Sequence, residues 1–184
     1  MIPPFTHSEL DISPKEFELL VKNWITQEGD GLTSLEVTHD SKLEAHDSTY
    51  QIDVLAKFQG FGGAEFIVLI ECKKYSSPVE RETVQILHDK VRSLGAHKGM
   101  LFTTTGFQSG AIKYAKAHGI ALIRVTSGSA AYQTRSSIPV EPPVWLNLPK
   151  FMAWHIHEND TGSINMSALK LTVEDLRRVG VMCS

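Results

Sequence analysis

The sequence contains only two cysteines, Cys72 and Cys183, and they lie far apart. No disulfide framework is implied, so a reducing cytoplasm is the expected location. Long hydrophobic runs are also missing, since the longest one, Phe66 to Ile70, is far shorter than the roughly 20 residues that cross a bilayer. The N-terminus lacks the basic start and apolar stretch of a secretory signal, so no membrane contact is expected.

Motifs for organic cofactors and for serine nucleophiles are absent as well. The segment Gly60-Phe61-Gly62-Gly63 lacks the Lys-Ser/Thr pair of a phosphate-binding loop and does not open a helix. There is no G-x-S-x-G sequence of the hydrolase type. We therefore interpret these glycines as turn residues, and no small organic cofactor is expected.

Charge is distributed unevenly along the chain, although the net charge is only −3. Residues 1–71 carry four basic and 13 acidic side chains, whereas residues 72–135 carry ten basic and three acidic ones. A net-acidic protein still binds nucleic acid when its positive charge is gathered on one surface. The basic block is therefore a hint of a polyanionic partner.

Hydrophobic periodicity predicts alternating helices and strands. Ser13 is a good N-cap for a first helix, and Glu16 completes a capping box with it. The predicted elements are a helix at 14–27, a weak strand at 34–39, a loop at 40–48, strands at 50–57 and 65–73, a helix from 76–78 to 94, a strand at 99–105, a helix at 109–118 and a strand at 120–125. This order predicts an α/β domain with a mixed sheet flanked by helices.

The pattern weakens in the C-terminal part of the chain, where prolines interrupt regular structure. We expect one domain at 1–126 and a small irregular extension at 127–184, with a short helix near 173–179. Three aromatic residues of this extension look exposed and are candidate contacts of a dimer: Trp145, Phe151 and Trp154.

Two acidic residues lie at mirror positions of the predicted hairpin. With a turn centred on Gly62, Asp53 and Glu71 are directly opposite, where Cβ atoms of antiparallel strands are about 4.5–5.5 Å apart. Lys73 shares the face of Glu71, while Cys72 points to the other side. Opposed carboxylates repel each other, and protonation, the lysine or a divalent cation relieves that repulsion.

Of these three, a divalent cation is the interpretation that also provides a catalytic function. Hard oxygen ligands suit Mg²⁺ or Mn²⁺, and such an ion binds a phosphate oxygen and lowers the pKa of a water molecule. Lys73 would orient that water or neutralise charge in the transition state. Glu18 borders the apolar stripe of the first helix and is a candidate third acid. The simpler alternative is a salt bridge at a solvated strand end.

The segments that carry these acids resemble a known family. Asp53 followed by Glu71-Cys72-Lys73 is similar to the D–(E/Q)-x-K signature of the PD-(D/E)xK nuclease superfamily. The Phe17-Glu18 pair, the strand end from Glu71 to Tyr75 and the segment Thr103 to Phe107 resemble those of Mrr-like restriction endonucleases. The resemblance covers residues 12–126 and implies the restriction-endonuclease-like fold.

The resemblance also implies a role for individual residues. The implied catalytic set is Asp53, Glu71, Lys73, Glu18 and Gln85. The implied metal ligands are Asp53, Glu71 and the backbone carbonyl of Cys72. Lys73 would be the catalytic lysine, Glu18 an accessory acid and Gln85 a supporting residue of the helix that follows the active strand. Mg²⁺, replaceable by Mn²⁺, is the implied cofactor, and DNA is the implied substrate.

Cationic side chains of the basic block are candidates for phosphate contacts. A polar stripe at helical spacing consists of Arg81, Gln85, His88 and Arg92. A solvated helix face is the alternative reading of that stripe. The candidate nucleic-acid contacts are Lys74, Arg81, Arg92 and Lys113.

The expected function is Mg²⁺-dependent hydrolysis of DNA phosphodiester bonds, in restriction or defence. Two alternatives stay open: a DNA-binding module with an inactive or regulatory metal site, and a nuclease specific for junctions or repair structures. A homodimer is expected because one site cuts one strand. His155 and His157 form a conceivable second metal pair, but an ordinary strand or loop explains them better because no third ligand accompanies them.

Overall fold

The computed structural model describes residues 10–128 and 150–169. The helices are α1 (Pro14–Glu28), α2 (Arg81–Ser93) and α3 (Ser109–His118). The strands are β1 (Thr33–Glu44), β2 (Thr49–Gly60), β3 (Ala64–Lys73), β4 (Lys98–Thr103), β5 (Ala121–Ser127), β6 (Phe151–Glu158) and β7 (Ile164–Ala168). They form one mixed sheet in the order β1 to β7, which confirms the predicted α/β class.

Helix α1 begins as its sequence predicts. The Ser13 hydroxyl accepts from the backbone N–H of Glu16, and the Glu16 carboxylate accepts from the backbone N–H of Ser13. This reciprocal pair satisfies two donors that the first helical turn leaves free. Phe17 and Val21 are buried on the side that faces the sheet, so the intervening Glu18 is held near the sheet surface.

The hairpin of β2 and β3 has the predicted register. Its paired residues run from Gly60 opposite Ala64 to Val54 opposite Ile70. The three turn residues all have positive φ, which glycine adopts without strain and which Phe61 adopts at φ 48°. The pairing ends there, so Asp53 and Glu71 lie just beyond the last paired residues.

The three central strands are parallel, and each crossover carries a helix. β4 pairs with β3 and β5 pairs with β4, both in parallel, after α2 and α3 respectively. One face of these strands packs with α2 and α3 through Leu69, Leu101 and Leu122. The other face packs with α1 through Ile70 and Phe102. With apolar side chains on both faces, β3 is held rigidly up to the acidic residue at its end.

Two predicted boundaries differ from the structure. The segment 40–44 was expected to be a loop, but it continues β1, paired with residues 49–52 of β2. β1 is an edge strand with one solvated face, so polar residues such as Lys42 are compatible with it. α2 begins at Arg81 rather than at 76–78, because Val79 instead bridges to Phe107 in parallel fashion.

The C-terminal part of the chain contains regular structure that the prolines concealed. β6 pairs with β5, and β7 pairs with β6, so residues 151–168 extend the same sheet. Phe151 and Trp154 are only 5% and 8% exposed, which makes their expected exposure wrong. The indole of Trp154 also donates to the Thr126 hydroxyl at 3.1 Å. Trp145, Cys183 and the expected helix at 173–179 lie outside the described residues, and the division at 126/127 stays a prediction.

Within residues 10–128 and 150–169, no helix combines the length and apolarity that crossing a membrane requires.

Candidate active site

The end of the β2–β3 hairpin brings three of the predicted site residues together. The Lys73 ammonium lies 2.9 Å from Glu71 Oε1 and 3.9 Å from Asp53 Oδ2. Its side chain is 25% exposed, while those of Asp53 and Glu71 are 18% and 8% exposed. The lysine is therefore placed between two poorly hydrated carboxylates, where its charge is screened little by water.

Asp53 replaces part of the strand ladder with its side chain. The backbone N–H of Cys72 donates to Asp53 Oδ2 at 2.7 Å, beyond the last paired residues of β2 and β3. The N–H and C=O groups of one strand residue point to the same side, so the Cys72 carbonyl also faces this end of β2. That direction is compatible with the ligand role that the family resemblance implies for it.

The carboxyl group of Asp53 has a raised pKa. Burial and then the charge of Glu71 raise its pKa to about 6, against the opposing effects of the Cys72 N–H and Lys73. The charge of Glu18 adds a smaller upward shift of this pKa. The positive charge within reach is thus insufficient for Asp53, and an added cation would stabilise its ionised form.

Glu71 is the better neutralised of the two acids. Its Oε1 accepts from Lys73 at 2.9 Å, and its Oε2 accepts from the ammonium of Lys90 at 2.8 Å. Burial alone would raise the pKa of Glu71, but the two lysines together hold it below its usual value. For Lys73, burial lowers the pKa, but the charge and hydrogen bond of Glu71 together with the charge of Asp53 outweigh it, and the net shift is upward. Both groups are therefore charged at neutral pH.

Glu18 lies on the α1 side of the site and has its own partner. Its Oε2 is 2.7 Å from Nε2 of His39 in β1, with both side chains partly buried. Its charge reaches Asp53 and Cys72, since it contributes to the upward pKa shift of each. Glu18 therefore borders the carboxylate pair rather than lying on an unrelated helix face.

Two residues of this site, Lys90 and His39, were missed by the sequence reasoning. Lys90 follows Leu87 by three residues, so its position on the border of the apolar stripe of α2 was a usable signal. His39 gave no such signal, because its partner Glu18 is 21 residues away. Within the described residues, no hydrogen bond joins Gln85 to Asp53, Glu71 or Lys73.

The predicted nucleic-acid contacts lie outside this carboxylate cluster. Arg81, Arg92 and Lys113 are exposed on α2 and α3, and Lys74 is half-buried just after β3. The guanidinium of Arg81 lies over the ring of Tyr114, 5.1 Å from its centroid. The three exposed side chains are accessible to a polyanion, and Lys74 is partly accessible.

The donor chemistry of the site fits a divalent cation with oxygen ligands. Asp53 and Glu71 supply two carboxylates on neighbouring strands, and the Cys72 carbonyl faces the same strand end. Across the described ranges, no group of three or more His, Cys, Asp or Glu side chains is arranged to hold a metal. The remaining ligands of a cation here would therefore be backbone, water or phosphate oxygens, as is usual for Mg²⁺.

The histidine pair of β6 is separate from this site. The rings of His155 and His157 lie with centroids 5.1 Å apart, beside a cavity of about 190 Å³ that Lys98 and Lys116 also line. Burial, then His157 and Lys98, lower the pKa of His155. Nearby positive charge disfavours a metal ion at this pair, in agreement with the strand interpretation.

Comparison with family models gives a match over most of the chain. A family model described as restriction endonuclease, Mrr_cat, matches residues 10–127. None of the curated proteins matches the sequence. Among solved structures, a protein of unknown function, AF1548, is similar with a TM-score of 0.50 and 22% identity, over 60% of this chain and 57% of that one.

Two further solved structures are similar at lower TM-scores. The restriction endonuclease MspJI, in complex with a 27-mer oligonucleotide, has a TM-score of 0.43 and 17% identity, over 59% of this chain and 25% of its own. EndoMS in its apo form has a TM-score of 0.35 and 19% identity, over 72% and 48%. The chain thus spans less than two thirds of each of these proteins.

Proposed function

The chain belongs to the Mrr-like restriction endonuclease family, and on this premise we propose that it hydrolyses phosphodiester bonds of DNA with the help of Mg²⁺. The family supports a nuclease that acts on DNA. The metal dependence, the residues that carry out the reaction and the biological setting are parts of the proposal.

One observation carries the proposal. Two poorly exposed carboxylates lie on neighbouring strands just beyond the last paired residues of β2 and β3, and the Lys73 ammonium lies 2.9 Å from one and 3.9 Å from the other. Burial of two like charges close together destabilises the folded protein. Clusters of this kind are concentrated at functional sites, so this arrangement is atypical of a merely structural salt bridge. Burial, followed by the charge of Glu71, raises the pKa of Asp53 to about 6, and a bound cation would stabilise its ionised form.

Each residue of the cluster has a distinct task in this reaction. Asp53, Glu71 and the carbonyl of Cys72 would hold the cation. When bound, Mg²⁺ supplies a Lewis acid for a phosphate oxygen and makes a bound water more acidic. Lys73 donates hydrogen bonds and positive charge to the attacking water or the scissile phosphate. Glu18, oriented by His39, adds negative charge next to Asp53 and assists as an accessory acid.

DNA reaches the site across a surface that carries exposed cations. Arg81 and Arg92 of α2, Lys113 of α3 and Lys74 after β3 would contact phosphates without reading sequence. The basic block of the chain, residues 72–135, contains all four of them. Gln85 of α2 remains a proposed supporting residue, which would act on substrate rather than on the carboxylates.

Cleavage of supercoiled plasmid in Mg²⁺ tests the proposal. Asp53→Ala, Glu71→Ala and Lys73→Ala should each lower the cleavage rate by at least about 100-fold, because each removes charge that acts in the transition state. Glu65→Ala is the matched control, since Glu65 lies on the same strand as Glu71 but is exposed near the hairpin turn. Cleavage by all three variants at the wild-type rate would contradict the proposal.

Binding measurements made beside the cleavage assay separate the alternatives. DNA binding and cation binding without cleavage by the wild type would favour a module with an inactive or regulatory site. Preference for a branched junction over linear duplex would favour a repair nuclease. Duplex, nicked, single-stranded, junction and RNA substrates are therefore compared at equal concentration.

A further inference from the structure

Lys90 is an internal cation that the family resemblance did not assign to this site. Its ammonium donates to Glu71 Oε2 at 2.8 Å and to the backbone carbonyl of Gln51 at 2.9 Å. The side chain is only 15% exposed, and its partner Glu71 is 8% exposed. A buried lysine with two such bonds links α2 to both strands of the hairpin, and its position is well defined.

The two oxygens of Glu71 are divided between two lysines. Lys73 takes Oε1 and lies on the side of Glu71 that faces Asp53, at 3.9 Å from Asp53 Oδ2. Lys90 takes Oε2 and has the Gln51 carbonyl as its second partner. A cation held by these two acids would therefore compete with Lys73 for Glu71, whereas Lys90 would remain bonded to Oε2.

The net charge of the site indicates how Lys90 affects its affinity for a divalent cation. Glu18, Asp53 and Glu71 bring three negative charges when ionised, and Lys73 with Lys90 bring two positive ones. Counted over these five side chains, the cluster thus has an excess of one negative charge. Without Lys90 the excess would be two, which a divalent ion neutralises completely. Because like charges repel strongly where water is scarce, Lys90 weakens the hold of the site on that ion.

We infer that Lys90 is a positioning residue of this site, which orients Glu71 with Oε1 toward Asp53 and acts as a built-in positive charge that lowers the affinity for the divalent cation. This inference rests on the proposed function. It gives the metal-free site a stable, charged form, and it keeps cation binding weak and reversible in the absence of DNA.

Calorimetric titration of the DNA-free protein with Mn²⁺ and with Mg²⁺ tests the inference. Lys90→Met and Lys90→Gln should both bind the cation roughly tenfold more tightly than the wild type, since both remove the competing charge. Lys90→Gln retains a donor for the Gln51 carbonyl, so it serves if Lys90→Met folds poorly. Lys98→Met is the matched control and should change affinity less than twofold. Lys98 also donates to a backbone carbonyl, that of Gly119, but does so at the start of β4, away from the site.

A double-mutant cycle on thermal stability in EDTA gives the second readout. Lys90→Met should lower the melting temperature clearly in the wild type and much less in a Glu71→Gln background, because the lost partner is Glu71 itself. Weaker or unchanged cation binding in both Lys90 variants, or equal losses of stability in the two backgrounds, would overturn the inference. If the wild type binds neither cation and cuts no DNA, the proposed function fails with it. If the wild type binds cation and the Lys90 variants match Lys98→Met, only the role of Lys90 is wrong.

Discussion

At the scale of single residues, the environment separates two acids that the sequence makes look alike. Glu71 keeps its charge because a lysine holds each of its oxygens. Asp53 has one backbone N–H at 2.7 Å and a lysine at 3.9 Å, and burial raises its pKa to about 6. A pair of acids with pKa values shifted in opposite directions is typical of sites that perform acid–base or metal chemistry.

Asp53→Asn should stabilise the metal-free protein at pH 8. The folded-state pKa of Asp53 is raised from 3.8 to about 6, so the folded protein retains a proton that the unfolded chain releases. The stability that this proton contributes is present below about pH 4 and is lost as the pH rises through about 6. The asparagine does not ionise, and its amide oxygen still accepts from the N–H of Cys72.

The measurement is urea unfolding in EDTA at pH 5 and at pH 8. We expect the variant to exceed the wild type by about 1 kcal/mol at pH 8, a value discounted for partial exposure, and by clearly less at pH 5. A variant that is less stable than the wild type by the same amount at both pH values would contradict the charged, repelling state of Asp53.

The residues of this site differ in how far the sequence predicts them. Asp53, Glu71 and Lys73 were predictable because strand residues alternate between faces and the hairpin register follows from its turn. Lys90 and His39 reach the site from α2 and from β1. The periodicity of a sequence segment predicts its own secondary structure but does not indicate which other elements it packs against. Contacts of this kind depend on tertiary packing, which is why the sequence alone did not assign Lys90 to the site.

At the scale of elements, the strands at the two ends of the chain were the hardest to predict. β1 is an edge strand, and its polar residues 40–44 gave it the composition of a loop. β6 contains alternating His155 and His157, which fit a strand, but the prolines before it hid that signal. In contrast, α1 has a capping box and a buried stripe, and the parallel strands have apolar residues on both faces, so local sequence was sufficient for them.

Trp154→Ala should destabilise the whole sheet. The side chain is buried in β6, its indole donates to Thr126 of β5, and its removal leaves a cavity beside the α2–α3 core. We expect a loss of about 3 kcal/mol in the free energy of unfolding, measured in urea. Asn165→Ala on the exposed side of β7 is the control and should change it by less than about 0.5 kcal/mol. A loss no larger than that of the control would show that β6 is not part of the folded domain.

At the scale of the whole molecule, acidic and basic residues have separate tasks. The acidic first part of the chain supplies Glu18, Asp53 and Glu71, and the basic block that follows supplies the lysines of the site and the exposed cations of α2 and α3. Net charge alone would have argued against a nucleic-acid partner, whereas the placement of the charges is compatible with one.

Binding of duplex DNA should weaken steeply with salt. Each phosphate contact releases a counterion, so the combined variant Arg81→Ala, Arg92→Ala and Lys113→Ala should reduce the slope of log Kd against log salt by about 2 to 3. Fluorescence anisotropy in Ca²⁺ or EDTA at several salt concentrations measures it without cleavage. A slope equal to that of the wild type would place the DNA on another surface.

We also propose that the protein is a homodimer, because one active site cuts one DNA strand and cleavage of a duplex requires two cuts. Phe151 and Trp154 are buried within the sheet and are not available as its contacts. The edge strands β1 and β7 border the sheet on its two sides and are the alternatives within the described residues. Sedimentation velocity of the wild type should give the mass of a dimer of 20.4 kDa chains. A monomer that still linearises plasmid would show that one site visits both strands in turn.

The most direct measurement is the anomalous diffraction of a crystal soaked in Mn²⁺. We expect one strong peak between Asp53 and Glu71, within ligand distance of a carboxylate oxygen of each and of the Cys72 carbonyl, with Lys73 displaced from Glu71 Oε1 and Lys90 still on Oε2. A peak elsewhere, or a site in which Lys73 continues to bridge the two acids at saturating Mn²⁺, would contradict the claim that this pocket is the metal centre of a nuclease.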